Sequence, residues 1–194
     1  MILVLVNAIP AGTMPEKVQL SYLQLIYEST IALVHINEEA CNRVLSPVIS
    51  VMIEMLLVNQ KMAKFAGSQL VHIINNCIRS TLWRKAQNNE LSLDGIELEE
   101  KGHEFTKIIC LFQGMLSSRF PDKKLASNLI ALFFNQLEEA TLGECMSLIE
   151  RVVEYRTEFD EKRFRKVMES IVLTYGIDNI LKIYPLSLKG DIAV

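Results

Sequence analysis

Glycine and proline are scarce in this sequence, with 8 glycines and 5 prolines spread over 194 residues. Folds built from many short β-strands use these residues in a turn roughly every 8–12 residues. The chain therefore has too few turn residues for a β-sandwich or a β-barrel. Its hydrophobic content of 50% is ample for a continuous core. These features favour a folded helical chain over a disordered or β-sheet protein.

Closely spaced metal ligands and nucleophile motifs are also missing. The four cysteines are Cys41, Cys77, Cys110 and Cys145. Neighbouring cysteines lie more than 30 residues apart, whereas zinc sites take pairs of ligands from within a few residues. There is no glycine-rich phosphate loop, no nucleophile elbow and no convergent set of titratable residues. We therefore expect no catalytic residues, no metal, no cofactor and no small-molecule substrate, and a reducing intracellular compartment.

Long apolar runs and a strong net charge are absent as well. The run from Met1 to Val6 is interrupted by Asn7 and Pro10, well short of the roughly 20 residues that a membrane span needs. The formal net charge of −3 gives no long-range attraction to a phosphate backbone. We expect no membrane partner, and any contact with nucleic acid has to be local.

What the sequence does contain is helical periodicity along nearly its whole length, with start and stop signals at the breaks. The residues that we predict to cap helices are Asn37, Ser46 before Pro47, Asp122, Thr141 and Asp160. The longest helix is predicted to begin at Asn59. The clearest amphipathic helix follows Asp160, carries apolar residues from Phe164 to Tyr175, and ends at Gly176 as a left-handed terminator. A polar stretch without helical periodicity predicts a loop at about residues 87–97.

Together these patterns predict an all-α fold in a single segment, residues 1–194. Short breaks make neighbouring helices antiparallel. The cysteines are separated by 36, 33 and 35 residues, close to the length of one helix-turn-helix repeat, which suggests a small residue recurring at equivalent core positions. We predict an α-solenoid of HEAT/ARM-like stacked helical pairs, and a compact helical bundle is the alternative.

One cluster of basic residues is a candidate contact site. It consists of Lys162, Arg163, Arg165 and Lys166 in the first turns of the helix that follows Asp160. A basic helix face can bind phosphates or an acidic partner. Acidic residues flank it, so an ordinary solvated face is the alternative interpretation.

The tail from Gly176 to Leu188 resembles a segment of the ribosomal RNA-processing protein 12 family. Here the sequence is GIDNILKIYPLSL, and the family pattern is roughly G-P-E-x-V-L-x-x-L-P-L-N-L, with Ile177 in place of proline and Ser187 in place of asparagine. The resemblance covers about 30 residues. It implies a fragment of a longer HEAT-like solenoid of the nucleus and nucleolus, which takes part in maturation and export of small-subunit precursors. The partners it implies are proteins of a large assembly and precursor ribosomal RNA.

The sequence leaves two other functional classes open. A transport adaptor of the importin or exportin kind would bind a small GTPase or a cargo peptide through the same type of fold, and the fold alone does not separate it from an assembly scaffold. An enzyme or cofactor-binding helical domain would require a pocket with several strongly perturbed titratable groups.

Overall fold

The computed structural model describes residues 2–7, 14–78, 98–118 and 120–183, and within these ranges the regular structure is entirely helical. The helices are α1 (Ile2–Asn7), α2 (Glu16–Ile36), α3 (Glu38–Met55), α4 (Gln60–Cys77), α5 (Leu98–Met115), α6 (Lys123–Asn135), α7 (Leu142–Glu154), α8 (Glu161–Tyr175) and α9 (Ile177–Ile183). Single 3₁₀ turns at Glu139–Thr141 and Tyr155–Glu158 precede and follow α7. The prediction of an all-α fold is confirmed, and the loop predicted at about 87–97 lies outside the described residues.

Three predicted helix caps, Asn37, Asp122 and Asp160, are confirmed by hydrogen bonds, and Asn59, the predicted start of a helix, also caps one. In each, a side-chain oxygen accepts from the backbone N–H three residues further on: Asn37 from Ala40 (3.0 Å), Asn59 from Met62 (2.9 Å), Asp122 from Leu125 (2.8 Å) and Asp160 from Arg163 (2.8 Å). Each bond satisfies an N–H that the first turn of a helix otherwise leaves without a partner. These caps fix where α3, α4, α6 and α8 begin.

One predicted helix start and one predicted capping bond are wrong. Ser46 and Pro47 do not open a helix, because α3 runs through them from Glu38 to Met55. Leu45 and Val48, which flank this pair, are fully buried, so packing of α3 offsets the backbone hydrogen bond that proline removes. Thr141 precedes α7 but makes no capping bond; its hydroxyl donates to the Glu138 carbonyl oxygen instead.

The helices lie in two rows defined by their contacts. Helices α1, α3, α5 and α7 contact one another in that order, and so do α2, α4, α6 and α8. Contacts between α2 and α3, between α3 and α4 and between α7 and α8 join the two rows. Each helix from α1 to α6 therefore packs against the described helix two positions further along.

Side-chain contacts show that α2, α4, α6 and α8 run parallel. The pairs that join successive helices of this row, in order along it, are Glu16 with Lys61, Gln24 with Gln69, Asn75 with Gln136, Asn128 with Lys166, and the Phe134 carbonyl with Thr174. In addition, Gly67 faces Leu125. Early residues of one helix meet early residues of the next, and late residues meet late ones. The starts of these four helices consequently share one edge of the molecule.

Aromatic side chains connect the two rows in the core. Phe112 of α5 stacks on Phe133 of α6 with ring centroids 4.4 Å apart, and the edge-to-face pair Phe134 and Tyr175 continues the contact from α6 to α8. All four rings are buried. Offset and edge-to-face pairs of this kind add to the stabilisation from burial alone.

The predicted apolar stripe of α8 is confirmed in part. Val167, Ile171 and Tyr175 are buried, whereas Phe164 and Met168 are half-buried against the same core. Gly176 ends the helix with a φ of 78°, as the terminator prediction requires. Among the described residues, no helix is long and apolar enough to cross a membrane.

The cysteines do not occupy equivalent positions. Cys41 is the fourth residue of α3 and Cys77 the last residue of α4, and both are buried, as is Cys145. Cys110 is exposed, so the prediction that the cysteines recur at equivalent core positions is wrong at this position. It lies two residues from Ile108 and from Phe112, both buried, and a two-residue step turns a helix by about 200° to its opposite face. Their even spacing therefore marks no repeated core position.

Candidate functional site

The basic cluster predicted on α8 is present on the surface, and most of it has local partners. Arg163 Nε lies 3.2 Å from Asp160 Oδ2, and Arg165 Nη2 lies 3.1 Å from Glu161 Oε1. Lys166 Nζ donates to Asn128 Oδ1 of α6 at 2.9 Å. Lys162 makes no polar side-chain contact within the described parts of the chain. Exposed pairs of this kind contribute little free energy, so a charged partner can displace them at small cost.

The structure separates the four residues by location. Arg163 alone of the four lines a groove of about 530 Å³ at the shared edge of α2, α4, α6 and α8. The other lining residues come from the α3–α4 turn, the start of α4 and the segment that leads into α6: Leu56, Leu57, Asn59, Gln60, Ala63, Pro121, Asp122, Lys123 and Lys124. Three segments far apart in the sequence thus build one concave surface.

Lys123 and Lys124 have different roles in this groove. The Lys123 ammonium donates to the Ser117 carbonyl oxygen at 2.7 Å, hydrogen-bonds the Tyr155 hydroxyl and lies over the Tyr155 ring. It therefore ties α6 to the end of α7. Lys124 is exposed, and its ammonium has no polar contact among the described residues. Lys124 and Arg163 are the cationic groups that the groove presents to solvent.

The floor of the groove is apolar. Leu56 is buried, Ala63 is half-buried, and Leu57 is 55% exposed despite its size. The Asn59 and Gln60 side chains provide amide groups at the rim. Asp122 is the acidic lining residue, and its Oδ1 already accepts from Leu125 N–H. An apolar floor with a cationic rim suits a ligand that is both hydrophobic and negatively charged.

Sequence patterns identified Arg163 and missed Lys124 and Leu57. Lys124 stands in an ordinary first helical turn, and Leu57 belongs to an apolar run, so neither differs locally from a surface or core residue. They line the groove only because α4, α6 and α8 pack together, and a local sequence pattern does not predict that packing.

Charge is distributed unequally between the two edges of the helical rows. The opposite edge, where α3 and α7 begin, carries Glu38, Glu39, Glu138, Glu139 and Glu144. The groove edge carries Lys61, Lys124, Lys162 and Arg163 together with the acidic residues Glu16, Asp122, Asp160 and Glu161. The groove edge is therefore of mixed charge, whereas the opposite edge is predominantly acidic.

A second polar cluster is buried between α7 and α8. The Thr141 and Tyr175 hydroxyls are 3.0 Å apart. Burial raises the pKa of the nearby Cys145 thiol to about 11, against the opposing effect of hydrogen bonds from Tyr175 and Thr141. The pKa of Tyr175 is also raised, chiefly by burial and then by Cys145. A buried thiol held in its protonated form is a poor nucleophile, so this cluster is structural.

No group of three or more His, Cys, Asp or Glu side chains within the described ranges is arranged to hold a metal ion. Comparisons with protein-family models, with curated proteins and with solved structures give no match. The resemblance of the tail to the ribosomal RNA-processing protein 12 family stays a prediction, and the Pro185–Leu188 part of that tail lies outside the described residues.

Proposed function

We propose that the chain is a segment of an α-solenoid of HEAT-like helical pairs that acts as a non-catalytic scaffold in ribosome assembly. The architecture is supported by one observation: the extensive helix contacts all join described helices no more than two positions apart. Stacked pairs contact only near neighbours, whereas the helices of a compact bundle share one central core. A solenoid leaves an extended face and two edges free for partners.

The proposed setting rests on the tail resemblance. From that resemblance we propose a location in the nucleus and nucleolus, with protein partners in small-subunit precursors and with precursor ribosomal RNA. The exposed cations at the start of α8 support a role in holding charged partners, because their pairing with Asp160 and Glu161 is weak and leaves them available for contact.

Hydrogen exchange tests the architecture. Ile26 of α2 is fully buried near one end of the rows. In a solenoid, Ile26→Ala weakens the repeat that contains it and its neighbours, so exchange should rise in α1 to α4 and stay unchanged in α7 and α8. Leu25→Ala, at an exposed position of the same helix, should change neither region. A uniform rise over the whole chain would show a single cooperative bundle.

Recovery of partners from nuclear extract tests the biological role. Precursor ribosomal RNA with small-subunit assembly proteins is the expected result for the tagged chain. Recovery of a small GTPase in a nucleotide-dependent manner would instead support the importin-like or exportin-like adaptor. Capture of neither class would contradict both proposals.

A further inference from the structure

We propose that the groove between the starts of α4, α6 and α8 binds an acidic peptide segment of a partner protein that also carries large apolar side chains. This inference deepens the proposed scaffold function by naming the chemistry of one partner. It rests on the residues that line the groove, defined above, and on nothing in the tail.

Charge determines the first half of the specificity. Lys124 and Arg163 present cations at the rim, and Lys162 adds a third exposed cation beside Arg163. Asp122 opposes them, although one of its oxygens is occupied by the α6 cap. Asp160 lies 3.2 Å from Arg163 and offsets part of its charge, so Lys124 and Lys162 are the cations without a local acidic partner among the described residues. The rim therefore favours carboxylates, and like charge on the opposite edge of the molecule, around Glu38 and Glu144, repels them.

Apolar surface determines the second half. Leu57 is a large aliphatic side chain that is 55% exposed at the groove, with Leu56, Ala63 and Pro121 around it. Covering this surface by an apolar side chain of a partner removes it from water, which stabilises the complex in proportion to the area buried. The Gln60 amide is suited to hydrogen-bond a peptide backbone, whereas the Asn59 side chain is occupied by Met62 N–H and Glu16.

The same composition argues against a single-stranded nucleic acid as occupant. Proteins that bind single strands stack the bases on aromatic side chains beside a cationic track. Among its described lining residues the groove has no Phe, Tyr, Trp or His. Tyr155, whose ring lies under the Lys123 ammonium, is buried and engaged with that lysine. An acidic-apolar peptide uses both the rim and the floor, whereas an RNA strand uses the rim alone.

Fluorescence anisotropy with the full chain tests the inference directly. The probe is a short labelled synthetic peptide in which glutamates alternate with leucines. Two further peptides replace either the glutamates by glutamine or the leucines by serine, and an oligouridylate serves as the RNA probe. The first peptide should bind more tightly than the other three probes, and its affinity should fall as salt screens the exposed charges.

Two variants address the two halves of the site. Lys124→Glu with Arg163→Glu should weaken binding of the acidic-apolar peptide about tenfold, because two exposed attractions become repulsions. The matched control Arg151→Glu with Lys182→Glu makes the same change of net charge at exposed positions outside the groove and should leave affinity within about twofold. Leu57→Ser should also weaken the acidic-apolar peptide while leaving the leucine-free peptide unchanged.

Several outcomes would overturn the inference. The first is that the acidic-apolar peptide does not bind. The second is that the groove variant and its control lose equal affinity for it, and the third is that Leu57→Ser leaves this affinity unchanged. Tighter binding of the oligouridylate, lost in Lys124→Glu with Arg163→Glu, would show a phosphate-binding edge instead. Hydrogen exchange of the Ile26 variant measures how the helices are coupled and uses no peptide, so the scaffold proposal and this inference can fail independently.

Discussion

The hydroxyl of Tyr175, at the end of α8, lies 3.0 Å from the hydroxyl of Thr141, which precedes α7. Thr141 donates its proton to the Glu138 carbonyl oxygen at 2.8 Å, so Tyr175 is the donor between the two hydroxyls. Both side chains are buried. This contact, across 34 residues of sequence, holds the end of α8 against the turn before α7.

A double-mutant cycle should detect this contact. We expect Tyr175→Phe and Thr141→Val each to lower the free energy of unfolding, with a coupling of about 0.5–1.5 kcal/mol, the net value of one buried hydrogen bond. Urea denaturation of the two single variants and the double variant measures it. A coupling indistinguishable from zero would show that the two hydroxyls contribute independently.

Ile171 and Leu173 lie two residues apart on α8 and should respond oppositely to truncation. Ile171 is fully buried, whereas Leu173 is 82% exposed. Ile171→Ala should cost about 2–5 kcal/mol through lost burial and a residual cavity. Leu173→Ala should change stability by no more than about 0.5 kcal/mol. Thermal and urea denaturation compare the two variants. Equal losses of stability would contradict the assignment of Ile171 to the core and of Leu173 to the surface.

Gly176 and Gly143 form a second matched pair. Gly176 has a φ of 78°, a backbone conformation that alanine tolerates poorly. A Cβ added at this position would meet no other atom within 4 Å. Gly176→Ala should therefore destabilise by about 1–2 kcal/mol through backbone strain alone. Gly143 lies in α7 without a positive φ and with equally open surroundings, so Gly143→Ala should stabilise by about 0.5–1 kcal/mol. The same sign for both substitutions would contradict this assignment.

Thiol labelling should distinguish one cysteine from the other three. Cys110 is exposed, and Cys41, Cys77 and Cys145 are buried. In the folded protein a thiol reagent should modify Cys110 quickly and the others only at the rate of unfolding or local opening. Cys110→Ser should remove the fast phase. A fast phase that remains in this variant would mean that a second cysteine is accessible.

The fold was predictable where one short segment contains the whole signal. The caps at Asn37, Asn59, Asp122 and Asp160 each bond a backbone N–H three residues away, so side-chain chemistry and spacing suffice. The termination of α8 at Gly176 follows from the same local logic.

The failures share a different cause, which is competition from distant parts of the chain. Pro47 has the local signature of a helix start, but the buried neighbours Leu45 and Val48 keep α3 continuous. Thr141 has the signature of a cap, but its hydroxyl bonds Glu138 and Tyr175. The groove was predictable only at Arg163, because Lys124 and Leu57 reach it through the packing of helices up to about a hundred residues apart. Tertiary contacts override local preference at these positions.

Alkaline pH should destabilise the protein through the buried thiol between α7 and α8. Burial raises the pKa of Cys145 from 9.0 to about 11. Above about pH 9 the unfolded chain loses this proton while the folded protein keeps it, so the unfolded state binds fewer protons and stability falls as pH rises. The stabilisation is complete below pH 9 and is lost as pH approaches 11, at a slope of up to about 1.4 kcal/mol per pH unit. Tyr175, whose pKa is also raised by burial, adds a fall of the same sign.

Two variants separate Cys145 from the other groups that titrate in this range. Urea denaturation between pH 8 and 10.5 should show that Cys145→Ala is less stable than the parent at pH 8, because the substitution leaves a small cavity. Its free energy of unfolding should then fall less steeply with pH. Cys110→Ala removes an exposed thiol and should keep the slope of the parent protein. If Cys145→Ala and Cys110→Ala lose stability with the same slope, the alkaline dependence comes from other groups, and the Cys145 thiol does not couple folding to pH.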